Sequence, residues 1–212
     1  MTLSAIEVDR LKHAPPVEGV VPALLGRWSP RSFTDREVSE KDLARIFEAA
    51  RWAASSSNEQ PWHYLVGIRN VPSHAATYEK IFAALVDANK AWAGAAPVLI
   101  LGIARTKFAR NNADNAYALY DLGAATSYLT LQASALGLAT HQMAGFDHDA
   151  ARRSFAIPAD YALGSVIAVG YQGEPTALGS EQLLDREIAP RARKPLKEFV
   201  LSAWGEPASL AL

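Results

Sequence analysis

The sequence predicts a mixed fold of helices and strands, α+β or α/β, with four or so strands in one unit. Three observations carry this. Residues 97–104, Pro-Val-Leu-Ile-Leu-Gly-Ile-Ala, are a nearly continuous apolar run, as in a central strand buried on both faces. Leu43, Ile46, Phe47, Ala50 and Ala54 recur at the spacing of a helical stripe. Helical and strand-like segments then mix irregularly along all 212 residues, with no internal repeat and no clear boundary between two domains.

Taken in order, residues 1–19 end in His-Ala-Pro-Pro-Val-Glu-Gly and read as a loose N-terminal arm. Residues 20–26 read as a short helix, with Pro22 in its first turn and Gly26 at its end. Arg27-Trp-Ser-Pro-Arg-Ser-Phe follows, and its Ser-Pro step favours an extended or turn shape. Ser39 caps the next helix, with Asp42 three residues on as a weaker form of the capping box. Residues 54–62, Ala-Ser-Ser-Ser-Asn-Glu-Gln-Pro-Trp, connect that helix to an aromatic-rich strand over 62–68. Residues 72–89 predict one helix with Tyr78, Ile81, Phe82 and Leu85 on one side.

The longest helical pattern spans 111–137, with Leu122, Ala125, Tyr128 or Leu129, and Gln132 on one face and Gly137 as its stop. Small residues recur along it, so it is either the core spine or a subunit interface. Asp147 caps a helix over 147–155, and residues 163–171 read as a strand. The polar region from Thr176 onward ends in an amphipathic piece around 199–204.

Composition narrows the function. Half the residues are hydrophobic, a fifth are charged and the net charge is −1, which leaves no global basic field for nucleic acid. The absence of cysteine excludes disulfides, thiolate metal sites and cysteine nucleophiles. Residues 1–12 lack the basic-then-apolar pattern of a secretory signal, and the apolar stretch 91–104 falls short of the ~20 residues a membrane helix needs. The expectation is a cytoplasmic protein with no membrane partner. Glycine-rich phosphate loops and the Gly-x-Ser-x-Gly elbow are missing. The five histidines (13, 63, 74, 141 and 148) lack metal-ligand spacing, so no metal is expected. His141 stands out because it precedes the Gly145 turn. With no strong protein nucleophile, the hard chemistry of an enzyme here falls to a bound cofactor.

Two stretches carry binding chemistry. Arg27 and Arg31, four residues apart with Ser29 between them, match the forked recognition of phosphate oxygens. Residues 54–62 crowd hydroxyls and carboxamides into one connector, which suits either an ordinary turn or a planar polar ligand.

Four separated pieces line up: Arg27-x-Ser29-x-Arg31, Ser55-Ser56-x-Asn58-x-Gln60-Pro61-Trp62, Met143-Ala144-Gly145-Phe146-Asp147, and Arg191-x-Arg193-Lys194-Pro195. In this order and spacing, over about residues 20–200, the chain resembles the nitroreductase family of flavin enzymes. The resemblance implies an α+β fold with a central, mostly antiparallel sheet of four to five strands flanked by helices. It implies a homodimer with a long central helix at the interface and FMN held there by both subunits. Residues 1–19 and 201–212 then flank the FMN-binding domain as arm and tail.

Residue by residue, the resemblance puts Arg27, Trp28, Ser29 and Arg31 along the phosphate, ribityl chain and ring edge of FMN, with Arg191 and Arg193 on the phosphate. Arg31 is the candidate cation near N1/O2, where positive charge favours reduced flavin. Ser55, Ser56, Asn58 and Gln60 belong to the segment that reaches the partner's flavin. Met143, Ala144 and Gly145 form the turn over the ring, where a backbone N–H can face N5. Some family members carry an acidic residue where this chain has Ala144, which puts in question a nicotinamide contact through that side chain. Asn89 and Lys90 stand near polar positions of the family and are left unassigned.

The implied activity uses NAD(P)H to reduce an electron-poor acceptor such as a nitroaromatic, a quinone or free flavin, by a ping-pong cycle. Two alternatives remain open: a flavin-binding relative that consumes flavin or dehalogenates its substrate, and a cofactor-free structural dimer.

Overall fold

A computed structural model describes residues 3–210. Its centre is a four-stranded sheet of β1 (Trp62–Ile68), β2 (Val98–Arg105), β3 (Ala139–Met143) and β4 (Tyr161–Gly170). The strand order is β1-β2-β4-β3, and every neighbouring pair is antiparallel. The α+β class with a central antiparallel sheet is therefore as the sequence implies.

The apolar run of β2 divides between two cores. Val98 and Ile100 join Leu43, Ile46, Ala125, Leu129, Ile167 and Val169 on one face. Leu99, Leu101 and Ile103 join Tyr78, Ile81, Trp92, Val166 and Ala168 on the other. This is the period-two alternation of a strand with helices over both faces. The first face is covered by α3 (Glu40–Arg51) and α6 (Ala118–Ala135), the second by α4 (Pro72–Ala84) and α7 (His148–Phe155). On the second face α4 lies so close to β1 that a Cβ at Gly67 would stand 2.3 Å from Tyr78 Cα. Ser39 caps α3 by accepting from the Asp42 N–H, and Asp147 caps α7 by accepting from the Ala150 N–H at 2.8 Å.

Several boundaries differ from the sequence expectation, each for a local reason. The arm contains a helix, α1 (Ala5–Lys12). Ser4 and Glu7 form a reciprocal capping box, in which Glu7 Oε2 accepts from the Ser4 N–H at 2.8 Å. The following α2 (Pro22–Gly26) matches its prediction closely. The single helix expected over 72–89 breaks after Ala84, and α5 (Asp87–Ala93) starts anew. Between them, Leu85 bridges Phe146 and the Val86 N–H donates to the Gly145 carbonyl at 3.2 Å, which pulls the chain out of helical register.

The long helix begins at Ala118 rather than 111. Asn112 sits at φ 57°, and the Asn115 N–H is held by the Thr106 carbonyl while Asn115 Oδ1 accepts from the Tyr117 N–H. Leu129, not Tyr128, takes the core face. In the region read as a polar tail, α8 (Glu181–Ile188) buries Leu183 and Glu187. The piece around 199–204 lies at a small exposed hairpin of β5 (Leu201–Ala203) and β6 (Glu206–Pro207). The parts of the expected arm and tail at 1–2 and 211–212 lie outside the described residues. No described helix is long and apolar enough to cross a membrane.

Candidate functional site: a cationic pocket and a glycine turn

The loop leaving α2 is fixed from several sides. Glu187, on α8 and 1% exposed, accepts from the Arg31 N–H at 2.9 Å and from the Ser32 N–H at 3.2 Å. The Pro30 carbonyl is 2.9 Å from His141 Nδ1 on β3. The Arg191 guanidinium donates to the carbonyls of Arg27 and Leu25, which ties the late basic segment to the early one. These contacts gather a pocket of about 200 Å³ walled by Lys12, Arg27, Arg31, Arg186, Arg191 and Arg193, with Trp28 and Ser29 between them.

Six cations therefore face one small volume, and no carboxylate of a described residue lies in its wall. Burial pulls Arg27, Arg31 and Arg191 below the ordinary arginine value, and repulsion from a neighbouring arginine adds to it in each case. Glu187 opposes the shift at Arg31. All three remain charged, because arginine starts far above neutral pH. Burial raises the Glu187 carboxyl, and the Arg31 and Ser32 N–H groups act against that shift. Crowded like charges of this kind favour a multivalent anion, and arginine forks fit phosphate oxygens.

His141 joins this loop to the sheet. Its ring packs on Trp92 with centroids 4.5 Å apart. Burial holds its pKa at about 4, with Arg31 and Arg27 adding repulsion against the Pro30 and Ser29 carbonyls, so it is neutral near pH 7. With the neutral ring donating from Nδ1 to Pro30, Nε2 is the unprotonated nitrogen.

Four residues past His141, about 13 Å along an extended chain, the backbone turns at Ala144 and Gly145. The Gly145 carbonyl accepts from Asn89 Nδ2 at 2.9 Å as well as from Val86 N–H. A Cβ at Gly145 would meet Asn89 Nδ2 at 2.8 Å and Val86 Cγ2 at 3.0 Å, so an added methyl would displace the Asn89 carboxamide that holds the turn. Neither the Ala144 nor the Gly145 N–H donates to an acceptor among the described residues. Met143, 3% exposed, packs into the core beneath.

The Ser/Asn segment stands apart from the cationic pocket: none of its residues lines that pocket. Ser57, Asn58 and Gln60 all have left-handed φ values, 54°, 55° and 52°. Backbone of this kind persists only when its surroundings over-determine it. Here the Gln60 N–H donates to Ser55 Oγ at 3.0 Å, Gln60 Nε2 donates to the Asn58 carbonyl, and the Ser56 N–H donates to Asp121 Oδ2 at 3.0 Å. Ser55 and Ser56 line a shallow pocket with Tyr117, Tyr120 and Asp121, while Asn58 and Gln60 are exposed. Tyr117, Tyr120 and Tyr128 are exposed along α6 and its start, next to this pocket.

The structure thus brings Arg27, Trp28, Ser29, Arg31, Arg191 and Arg193 into one pocket. It places Ala144 and Gly145 at a separate turn and Ser55, Ser56, Asn58 and Gln60 on a third surface. Trp28 contributes a wall: its ring is buried and its Nε1 donates to Asp9 Oδ1 at 3.0 Å. Lys12, Arg186, Glu187 and Asn89 are additions. The Ser4-x-x-Glu7 pattern signals the helix that carries Lys12, and Leu183 with Glu187 marks one face of α8. No group of described His, Asp or Glu side chains could hold a metal ion.

The family model described as the Nitroreductase family matches residues 24–171. A protein of Methanothermobacter thermautotrophicus, provisionally named an NADH dehydrogenase/NAD(P)H nitroreductase, is 30% identical over 170 residues, covering 78% of this chain and 83% of its own. The crystal structure of an oxidoreductase containing FMN superposes with a TM-score of 0.80 at 29% identity, covering 89% of this chain and 93% of its own. A provisionally assigned nitroreductase of Desulfovibrio desulfuricans, in complex with FMN, gives a TM-score of 0.68 at 25% identity, covering 89% and 98%.

Proposed function

Because the chain belongs to the nitroreductase family, we propose that it is an FMN-dependent oxidoreductase that takes electrons from NAD(P)H. The acceptor is an electron-poor molecule such as a nitroaromatic, a quinone or free flavin, and donor and acceptor use the site in turn in a ping-pong cycle. The observation that carries this reading is the pocket of six cations with no carboxylate in its wall.

The residues present fit FMN. A phosphate monoester carries about −1.5 to −2 charges near pH 7, which this pocket complements. In this reading Arg27, Arg193 and the Ser29 hydroxyl bind the phosphate. Arg191 holds the loop that carries Arg27, and Glu187 fixes the amides beside it. The position of Arg31 among these cations supports a phosphate contact more directly than the place near N1/O2 that the resemblance implies.

When bound, FMN supplies the two-electron chemistry at its N5. The protein's share is to bind and orient. The free N–H groups of Ala144 and Gly145 offer donors toward the ring, and Asn89 locks the turn that presents them. Neutral His141 holds the phosphate loop at Pro30 without adding charge. The exposed aromatic face of α6 pairs with a second copy in a homodimer, which brings Ser55, Ser56, Asn58 and Gln60 to the partner's cofactor. A helix apolar on both faces favours burial on both.

The test is anaerobic mixing of the FMN-loaded protein with NADH and with NADPH in a stopped-flow spectrometer. Rapid loss of the blue flavin absorbance with at least one donor is expected. Absorbance unchanged by both refutes the donor assignment.

A further inference from the structure

Lys12 stands at the end of α1, outside the residues that match the family model. It is 5% exposed and lines the cationic pocket. Lysines usually keep the ammonium in water and bury only the stem; here the head is buried as well. Nζ donates to the Ala189 carbonyl at the end of α8 and lies 5.0 Å from the centroid of the Trp28 ring. No carboxylate oxygen of a described residue lies within 4.0 Å of it. One carbonyl and one ring face leave the buried ammonium short of hydrogen bonds, and of the charges around it Glu187 attracts it while Arg31 and Arg191 repel it.

Lys12 is not held there by its own contacts alone. Asp9 Oδ1 accepts from Trp28 Nε1 at 3.0 Å, the Ala5 N–H donates to Glu174 Oε2 at 2.9 Å, and Gln172 Nε2 donates to the Ala5 carbonyl at 3.0 Å. These bonds fasten α1 to the body ahead of the lysine, and the Ala14 N–H, which donates to the Leu25 carbonyl at 3.1 Å, ties the chain down just beyond it. The helix therefore delivers a charge to a place where, without an anion, that charge is unfavourable.

We propose that Lys12 is a phosphate-binding residue of the cofactor site, contributed by the N-terminal helix, and that it strengthens the preference for phosphorylated flavin over riboflavin. This rests on the reading of the cationic pocket as the FMN phosphate site. The remaining ammonium protons turn to the phosphate oxygens beside Arg27 and Arg31, and the buried charge, which Glu187 alone offsets against Arg31 and Arg191, gains a closer counterion when the cofactor is bound.

The experiment compares apo wild type, Lys12→Met, Lys12→Gln and Lys12→Arg in titrations with FMN and with riboflavin, followed by quenching of flavin fluorescence. Methionine keeps the length and burial of the stem without the charge. Glutamine keeps a donor for the Ala189 carbonyl, so it serves where the methionine variant folds poorly. Both uncharged variants should bind FMN about 10-fold or more weaker, as for loss of one charge-assisted hydrogen bond, with riboflavin binding unchanged. Arginine should restore most of the difference, and apo melting temperatures should stay at or above the wild-type value.

An FMN-to-riboflavin preference equal to wild type in both uncharged variants overturns the role of Lys12 while leaving the pocket assignment intact. A wild-type protein that binds riboflavin as tightly as FMN overturns the pocket assignment and the role of Lys12 with it.

Discussion

Replacing Arg27 and Arg193 together by alanine removes two guanidinium groups from the cationic pocket while sparing its scaffold. Arg191 is unsuitable for this purpose, because its side chain holds the Arg27 and Leu25 carbonyls. Among the described residues the Arg27 side chain makes one hydrogen bond, to Ser29 Oγ at 3.3 Å, and the Arg193 side chain one, to its neighbour Ala192. Each charge-assisted contact to a phosphate contributes about 1.5–3 kcal/mol, and the exposure of Arg193 argues for the low end. The pair therefore gives about 3 kcal/mol, or a Kd about 100-fold weaker. Titration of the apo double variant with FMN, read by fluorescence quenching, measures this directly. Riboflavin binding should change little. The apo fold should be no less stable than wild type, since a repulsive pair has been removed. An FMN Kd within a factor of two of wild type would refute the assignment of this pocket to the phosphate.

Three further outcomes follow from the geometry. Gly145→Ala places a methyl 2.8 Å from Asn89 Nδ2 and 3.0 Å from Val86 Cγ2; it should cost about 1–3 kcal/mol by overpacking and weaken FMN binding, measured by chemical denaturation and titration. His141 titrates at about 4 in the folded chain against an ordinary value of 6.5. The unfolded chain thus binds the extra proton first, and stability should fall by about 2–3 kcal/mol as pH drops from 6.5 to 4. His141→Phe should flatten that part of the profile; an unchanged slope would contradict the buried neutral ring. Gly123→Arg introduces a side chain where nothing lies within 4 Å of a Cβ in one subunit. It should leave the monomer folded but convert a light-scattering mass of a dimer to that of a monomer, with loss of FMN.

The parts of the fold that were legible in the sequence are those with a one-dimensional signal. Residues 62–68 and the run in β2 read as strands because local composition and burial agree. The α3 stripe reads as a helix because Leu43, Ile46 and Ala50 share one buried face and its cap residue stands at the right position, whereas Ala54, expected on the same stripe, lies past the helix end and is exposed. What was not legible depends on distant partners. Nothing local marks the break at Leu85 and Val86, which Phe146 and Gly145 impose from another strand end. The start of α6 is not legible because Asn111 to Tyr117 continue its pattern, and the left-handed Asn112 and the turn made by Asn115 appear only in the structure.

The site divides in the same way. Arg27, Ser29, Arg31, Arg191 and Arg193 carry recognisable spacing, and the structure gathers them in one pocket. Glu187 is an ordinary acidic residue in sequence; only its burial against the Arg31 and Ser32 amides shows that it anchors the loop. Lys12 likewise reads as a surface lysine on an arm until α1 folds against Trp28.

The central claim, that this chain binds FMN for redox chemistry, is tested most directly by the absorbance spectrum of the purified protein before and after FMN is added and free cofactor dialysed away. The expected result is a yellow protein that retains about one FMN per chain, held at the cationic pocket. A colourless protein that neither retains FMN nor quenches its fluorescence would contradict it.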